Sequence, residues 1–253
     1  MSRFIFLCLT VFIASYGFAG QKNMKMRVPA EEVDTTEIFS TGIIPGFYNN
    51  ADCTGISSLF ASPTRYDGSR RPNFRNNGLH GGLDLSLEPG TPLLAFASGT
   101  VISKGMGGMM TGIFIWTIHT PEDTGLPFYL FSKYQHLSEE ANISVGDRVK
   151  TGDVIGFSGK TGTEGGYYGS RGYPHLHWTI FAAASDEYKV KGDKVMTKGY
   201  LVDPLIVYIK GLNSVEQSIH PEESQKNPEI PYEIENGALY PADAKFVWPV
   251  RCK

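Results

Sequence analysis

The sequence lacks an excess of charge of either sign. Lysine and arginine total 23 against 26 aspartates and glutamates, a formal net charge of −3. That balance gives no reason to expect nucleic acid or an anionic membrane surface as a partner. A long apolar run is missing too. The stretch from Phe4 to about Ala14 falls short of the ~18 residues that a membrane span needs. No helical heptad and no internal repeat appears, so neither a coiled coil nor a solenoid is expected. Cysteine is scarce, with Cys8, Cys53 and Cys252 the three in 253 residues.

The N-terminal stretch MSRFIFLCLTVFIASYGFAGQ has one cation, Arg3, then the apolar run, then a small-residue site at Gly17-Phe18-Ala19. This is the pattern of a secretory signal peptide over residues 1–19, cut after Ala19. Cys8 follows Leu7 rather than a small residue, so no lipid anchor is expected there, nor any membrane association after cleavage. Cys53 and Cys252 remain, and an even pair in an exported protein predicts a disulfide between the two ends of the mature chain. Its condition is that the Cα atoms approach within the ~7 Å limit.

Glycine is abundant, at 29 residues, and aromatics make up 12%, a composition that suits a turn-rich β protein. TPLLAFASGTVISKG, GIFIWTIHT, PFYLFSKYQHL, GDRVKTGDVIGFSG and HLHWTIFAAA read as short strands separated by glycine turns. The fold class expected is all-β, a compact antiparallel sandwich or barrel-like domain. By its strands it should span about residues 75–210. Residues 20–75 read as an N-terminal arm with little structure of its own, and 209–253 as a C-terminal arm whose end packs back on the domain. One short helix is expected in LIVYIKGLNSVEQ.

Side chains on a strand alternate between faces. His175 and His177 in GYPHLHW therefore share one, which suits a metal ligand beside a group that reaches the reacting atoms. HGGLD places His80 four residues before Asp84, and Zn²⁺ accepts imidazole and carboxylate readily. KYQHLS puts Tyr134 and His136 on one strand face by the same alternation. His119 is expected at the surface, and His220 is given no role. Two His and one Asp leave the fourth position of a tetrahedral zinc open to water, the catalytic arrangement. No H-E-x-x-H helix is present, which excludes that class of zinc protease.

The runs GLHGGLDLSLEPGTPLLAFASGTVISKG, YQHLSEEANISVGDRVKTGDVIGFSGKTGTEGG, PHLHWTI and VDPL resemble the lysostaphin-like (LytM-type) zinc metallopeptidases. These are bacterial endopeptidases that cut peptide cross-links of peptidoglycan, and the resemblance covers residues 76–208 and implies a β domain around a zinc-containing groove. The resemblance implies that His80, Asp84 and His177 ligate one Zn²⁺ per chain. His136 and His175 would be catalytic, orienting or deprotonating the zinc water and stabilising the oxyanion. The segment TEGGYYGSRGY is longer than the family usually has. Its Tyr167, Tyr168 and Arg171, with Tyr134, are candidate substrate-binding residues. The partner implied is a peptidoglycan peptide, cut either at a D-Ala–diaminopimelate cross-link or in a glycine-rich bridge. No separate wall-binding repeat is seen and the charge is balanced, so the place expected is the periplasm, or otherwise the outside of the cell. The alternative is a non-catalytic or latent LytM-type domain that regulates another cell-wall hydrolase.

Overall fold

The computed structural model describes residues 38–74, 76–140, 142–163 and 173–253. The predicted signal peptide at 1–19 and Tyr167, Tyr168 and Arg171 lie outside the described residues. The strands, in chain order, are β1 Gly46–Phe47, β2 Leu83–Ser86, β3 Pro92–Leu94, β4 Gly99–Met106 and β5 Ile113–His119. They continue with β6 Tyr129–Leu137, β7 Arg148–Val149, β8 Val154–Phe157, β9 His175–Ala183 and β10 Tyr188–Lys191. The last are β11 Lys194–Thr197, β12 Tyr200–Val202, β13 Glu229–Ile230, β14 Tyr232–Glu233 and β15 Leu239–Tyr240. The fold is all-β, as expected.

β-Branched and aromatic side chains dominate the long strands, where they pack on a pleated surface. These strands form one antiparallel sheet of seven, in the order β12-β9-β6-β5-β4-β7, with β2 also paired to β9. β5 shows why the middle of the sheet is stable. Ile113 and Ile115 enter a core with Tyr134, Leu176, Trp178 and Trp248, while Phe114, Trp116 and Ile118 pack on the opposite face with Phe131 and Val195. A strand covered on both faces reads as a continuous apolar run rather than an alternating one.

Segments near both ends of the described residues join this core. β1 pairs with β13 in parallel, Trp248 Nε1 donates to the Thr54 carbonyl (3.0 Å), and Cys53 and Cys252 form a disulfide with their Cα atoms 4.4 Å apart. Residues 57–62 lie against the His80–Asp84 segment. Ser57 N–H donates to Asp84 O (2.8 Å), Asp84 N–H to Ser58 O (2.9 Å) and His80 N–H to Ser62 O (3.0 Å). The single helix expected near residue 210 is instead two pieces, a 3₁₀ turn at Pro204–Tyr208 and a helix at Val215–Ile219. Gly211 between them has φ +80°, outside helical space.

His119 is not at the surface; it is 1% exposed. Its Nδ1–H donates to Ser98 O (2.7 Å), and Nε2 accepts from the Thr117 and Ser132 hydroxyls (2.9 and 3.0 Å). Burial pushes its pKa down to about 4.

Candidate metal centre and active site

Two strands and one bulge assemble the site. β2 and β9 are antiparallel neighbours, with Asp84 opposite His177 and Ser86 opposite His175. Residues directly opposite share a face, so one ladder aligns Asp84, His177 and His175. His80 arrives from the Gly81-Gly82 turn. A Cβ on Gly82 would lie 2.6 Å from the Trp178 carbonyl and 2.7 Å from His177 Nε2, so only glycine lets this backbone approach the imidazole.

His136 reaches the site in a way that strand alternation did not predict. The β5–β6 register shifts between Ile113 and Phe114, which face Leu137 and Gln135 and leave His136 as the extra residue of a bulge. Its φ is +66°. Its ring lies 4.6 Å from that of His175 and 6.0 Å from that of His177, centroid to centroid. Tyr134, two residues earlier, faces the other way. It is fully buried in the core, donates to Leu94 O (2.8 Å) and accepts from Phe96 N–H (3.0 Å). The expectation that Tyr134 shares a face with His136 and contacts substrate is therefore corrected, because the bulge inverts the alternation between them.

Three donor atoms converge. His80 Nε2 is 3.0 Å from His177 Nδ1 and 3.1 Å from Asp84 Oδ1, and His177 Nδ1 is 2.7 Å from the same oxygen. The outer partners set the tautomers. His80 Nδ1–H donates to Leu59 O (2.9 Å). The Thr179 hydroxyl donates to Gly81 O (3.2 Å), so it accepts from His177 Nε2–H (3.1 Å). The two inward nitrogens are thus bare, and with Asp84 Oδ1 they make three lone pairs with no hydrogen between them. Only a shared proton or a cation satisfies such a cluster. Zinc donors in a tetrahedron are roughly 3.3 Å apart, so a small outward shift fits this set to the ion.

Charge supports the same arrangement. Burial would raise the Asp84 carboxyl, but a proton shared with the facing nitrogens of His177 and His80 outweighs it and holds its pKa well below the usual carboxylate value. Burial lowers His175, and lowers His177 to about 4. It also drives His136 well down, assisted by repulsion from His175 and His177. The three imidazoles are neutral near pH 7, with lone pairs available. His136 Nδ1–H donates to Thr161 O (2.7 Å) and His175 Nδ1–H to Tyr173 O (2.8 Å), which leaves each Nε2 free to take a proton. His175 Nε2 stands 3.7 Å from Asp84 Oδ1.

Sequence reasoning missed several groups around this centre. Arg71 Nη2 lies 3.4 Å from Asp84 Oδ2 and 2.9 Å from Ser58 Oγ. Tyr66 stacks on Tyr173, with centroids 3.6 Å apart, and Tyr173 stacks in turn on His175 at 4.8 Å. Beyond Tyr173 a hollow of about 410 Å³ is lined by Ser86, Glu88, Thr91 and Pro174, among others. Arg71 and Tyr66 carry no local signature, since both sit in loop sequence. Thr179 was legible in principle, two residues from His177 on the same strand face.

Residues 78–193 match peptidase family M23. The chain is 31% identical over 126 residues to an uncharacterized metalloprotease of Buchnera aphidicola, covering 50% of this chain and 28% of that one. It is 37% identical over 103 residues to the glycyl-glycine endopeptidase ALE-1 of Staphylococcus capitis, covering 41% and 25%. It therefore spans only about a quarter of the length of these relatives. The solved catalytic domain of lysostaphin from Staphylococcus simulans superposes with a TM-score of 0.41 at 26% identity, over 60% of this chain and 90% of that one. The His-x-x-x-Asp and His-x-His motifs both fall inside residues 78–193, the segment of this chain that matches peptidase family M23.

Proposed function

We propose that the protein is an exported zinc metalloendopeptidase that hydrolyses peptide cross-links or stem peptides of bacterial peptidoglycan. The observation that carries this reading is the cluster of three bare donor atoms, His80 Nε2, Asp84 Oδ1 and His177 Nδ1, with two further bare imidazole nitrogens beside it. The match of residues 78–193 to peptidase family M23 and the likeness to a glycyl-glycine endopeptidase support peptide-bond hydrolysis. Export, with the periplasm as the destination, rests on the N-terminal leader pattern and agrees with the disulfide.

In this proposal His80, Asp84 and His177 hold one Zn²⁺, which would acidify a bound water to a pKa of about 7 and polarise the scissile carbonyl. The remaining work falls to the protein's own groups. His136 and His175 present unprotonated Nε2 atoms, held in place through Thr161 O and Tyr173 O. One Nε2 accepts the proton of the attacking water, and the imidazolium so formed passes that proton to the departing amine, while the other ring stands beside the reacting carbonyl. Neither exchange needs a carboxylate base. Tyr173, packed on His175, and the hollow beyond it form a wall on which an extended peptide lies. Tyr167, Tyr168 and Arg171, a few residues before Tyr173 in the sequence, stay part of the proposal as substrate-binding candidates.

The test is incubation of purified protein with intact peptidoglycan, with and without a chelator, and mass spectrometry of the released fragments. Chelator-sensitive products split at a peptide bond are expected, and they identify the bond. Folded, zinc-loaded protein that releases nothing overturns the catalytic reading in favour of a regulatory domain.

A further inference from the structure

We propose that Arg71 is a positioning residue that holds Asp84 as a one-oxygen metal ligand. The inference rests on the metal-centre reading above. Asp84 offers two oxygens to different neighbours. Oδ1 faces the imidazoles of His80 and His177, while Oδ2 faces Arg71 Nη2 at 3.4 Å. The guanidinium is itself fixed on two other sides, by Nε donating to Thr64 O (3.2 Å) and Nη2 donating to Ser58 Oγ (2.9 Å). Its side chain is 17% exposed and that of Asp84 is 8% exposed, so water competes little for either group.

The same anchor touches a second donor. Ser58 Oγ lies 3.3 Å from His80 Nδ1, and the neighbouring Leu59 carbonyl takes that nitrogen's proton. Backbone hydrogen bonds between residues 57–58 and Asp84 lock the whole segment to β2. The piece from Ser58 to Arg71 lies before the family-matched residues, yet it contacts two of the three donors. A carboxylate free to rotate can chelate a metal through both oxygens. That would use up the position a water needs, and a guanidinium on Oδ2 prevents it. Groups of this kind, one step out from the ligands, typically change metal affinity or activity 10–100-fold when removed.

The test replaces zinc with Co²⁺, whose visible d–d absorption is strong in four-coordinate sites and weak at higher coordination. Wild-type protein and Arg71→Gln are titrated with Co²⁺ to full occupancy, and unfolding curves are recorded alongside. A several-fold weaker band is expected in R71Q, with most of the intensity restored in Arg71→Lys, and with kcat down 10–100-fold at a KM changed less than threefold. On an Asp84→Asn background R71Q should add no further spectral change, because the second oxygen it releases is gone. If R71Q does not fold, Ser58→Ala, which removes the closest anchor of the guanidinium, should shift the spectrum in the same direction by a smaller amount. Identical spectra for wild type and R71Q, or for wild type and Ser58→Ala where R71Q does not fold, overturn the proposal. So does a wild-type band already of the weak, higher-coordinate kind. A wild-type protein that takes up no Co²⁺ instead overturns the metal-centre reading, and the positioning role with it.

Discussion

Replacement of His136 separates its proposed catalytic role from two structural ones, a hydrogen bond to Thr161 O and a residue in left-handed backbone at φ +66°. Ala, Asn and Gly remove the ring alike but differ in the backbone. Left-handed geometry costs an ordinary L-residue roughly 1–2 kcal/mol, less for Asn and nothing for Gly. All three leave the buried Thr161 carbonyl without its donor, a loss of about 1–3 kcal/mol. H136A should therefore be destabilised by about 1 kcal/mol more than H136N in urea unfolding. Activity should not follow stability. Loss of a positioned acid–base group costs about 10²–10⁴-fold in rate, so H136N, H136A and H136G should all fall in that range at full zinc content, since none of the three donor atoms belongs to His136. Cleavage of a defined cross-linked peptide, with zinc measured in the same samples, is the assay. An H136N protein that is zinc-loaded and within threefold of wild type in kcat/KM would refute the catalytic assignment.

Three further outcomes are expected. His119 titrates near 6.5 when unfolded and near 4 when folded, so below pH 6.5 the unfolded chain takes up a proton that the native state refuses. Its contribution to stability is complete above pH 6.5 and declines as pH falls towards 4, by about 2 kcal/mol at pH 5. His119→Gln should lose less stability than wild type between pH 7 and pH 5, and equal slopes in paired urea titrations would contradict this. Removing the Cys53–Cys252 disulfide opens a loop of 199 residues, worth about 5 kcal/mol by chain entropy. The Cys53→Ala/Cys252→Ala protein should melt well below the oxidised wild type, and equal melting temperatures would show that the strand pairing of the ends suffices alone. Tyr134→Phe should lower stability by about 1–3 kcal/mol, because the buried Phe96 N–H loses its acceptor, while kcat and KM stay within twofold. A selective rise in KM would return Tyr134 to the groove.

Local sequence determined those features whose geometry is local. A strand repeats every two residues whatever surrounds it, so His175 and His177 had to share a face once HLHWTIF formed a strand. The His80–Asp84 spacing and the all-β texture follow from equally short-range rules, and the pairing of Cys53 with Cys252 follows from parity. Tertiary structure decided the rest. The bulge that turns His136 into the site and Tyr134 into the core is a register mismatch between β5 and β6, and register belongs to a pair of strands, not to either sequence. His119 is tolerated in the interior because the segment before β4 and strand β6 supply Ser98 and Ser132 as hydrogen-bond partners. Arg71 and Ser58 reach Asp84 because residues 57–62 dock on the His80–Asp84 segment through backbone hydrogen bonds, which any sequence can make and which leave no mark on side-chain pattern.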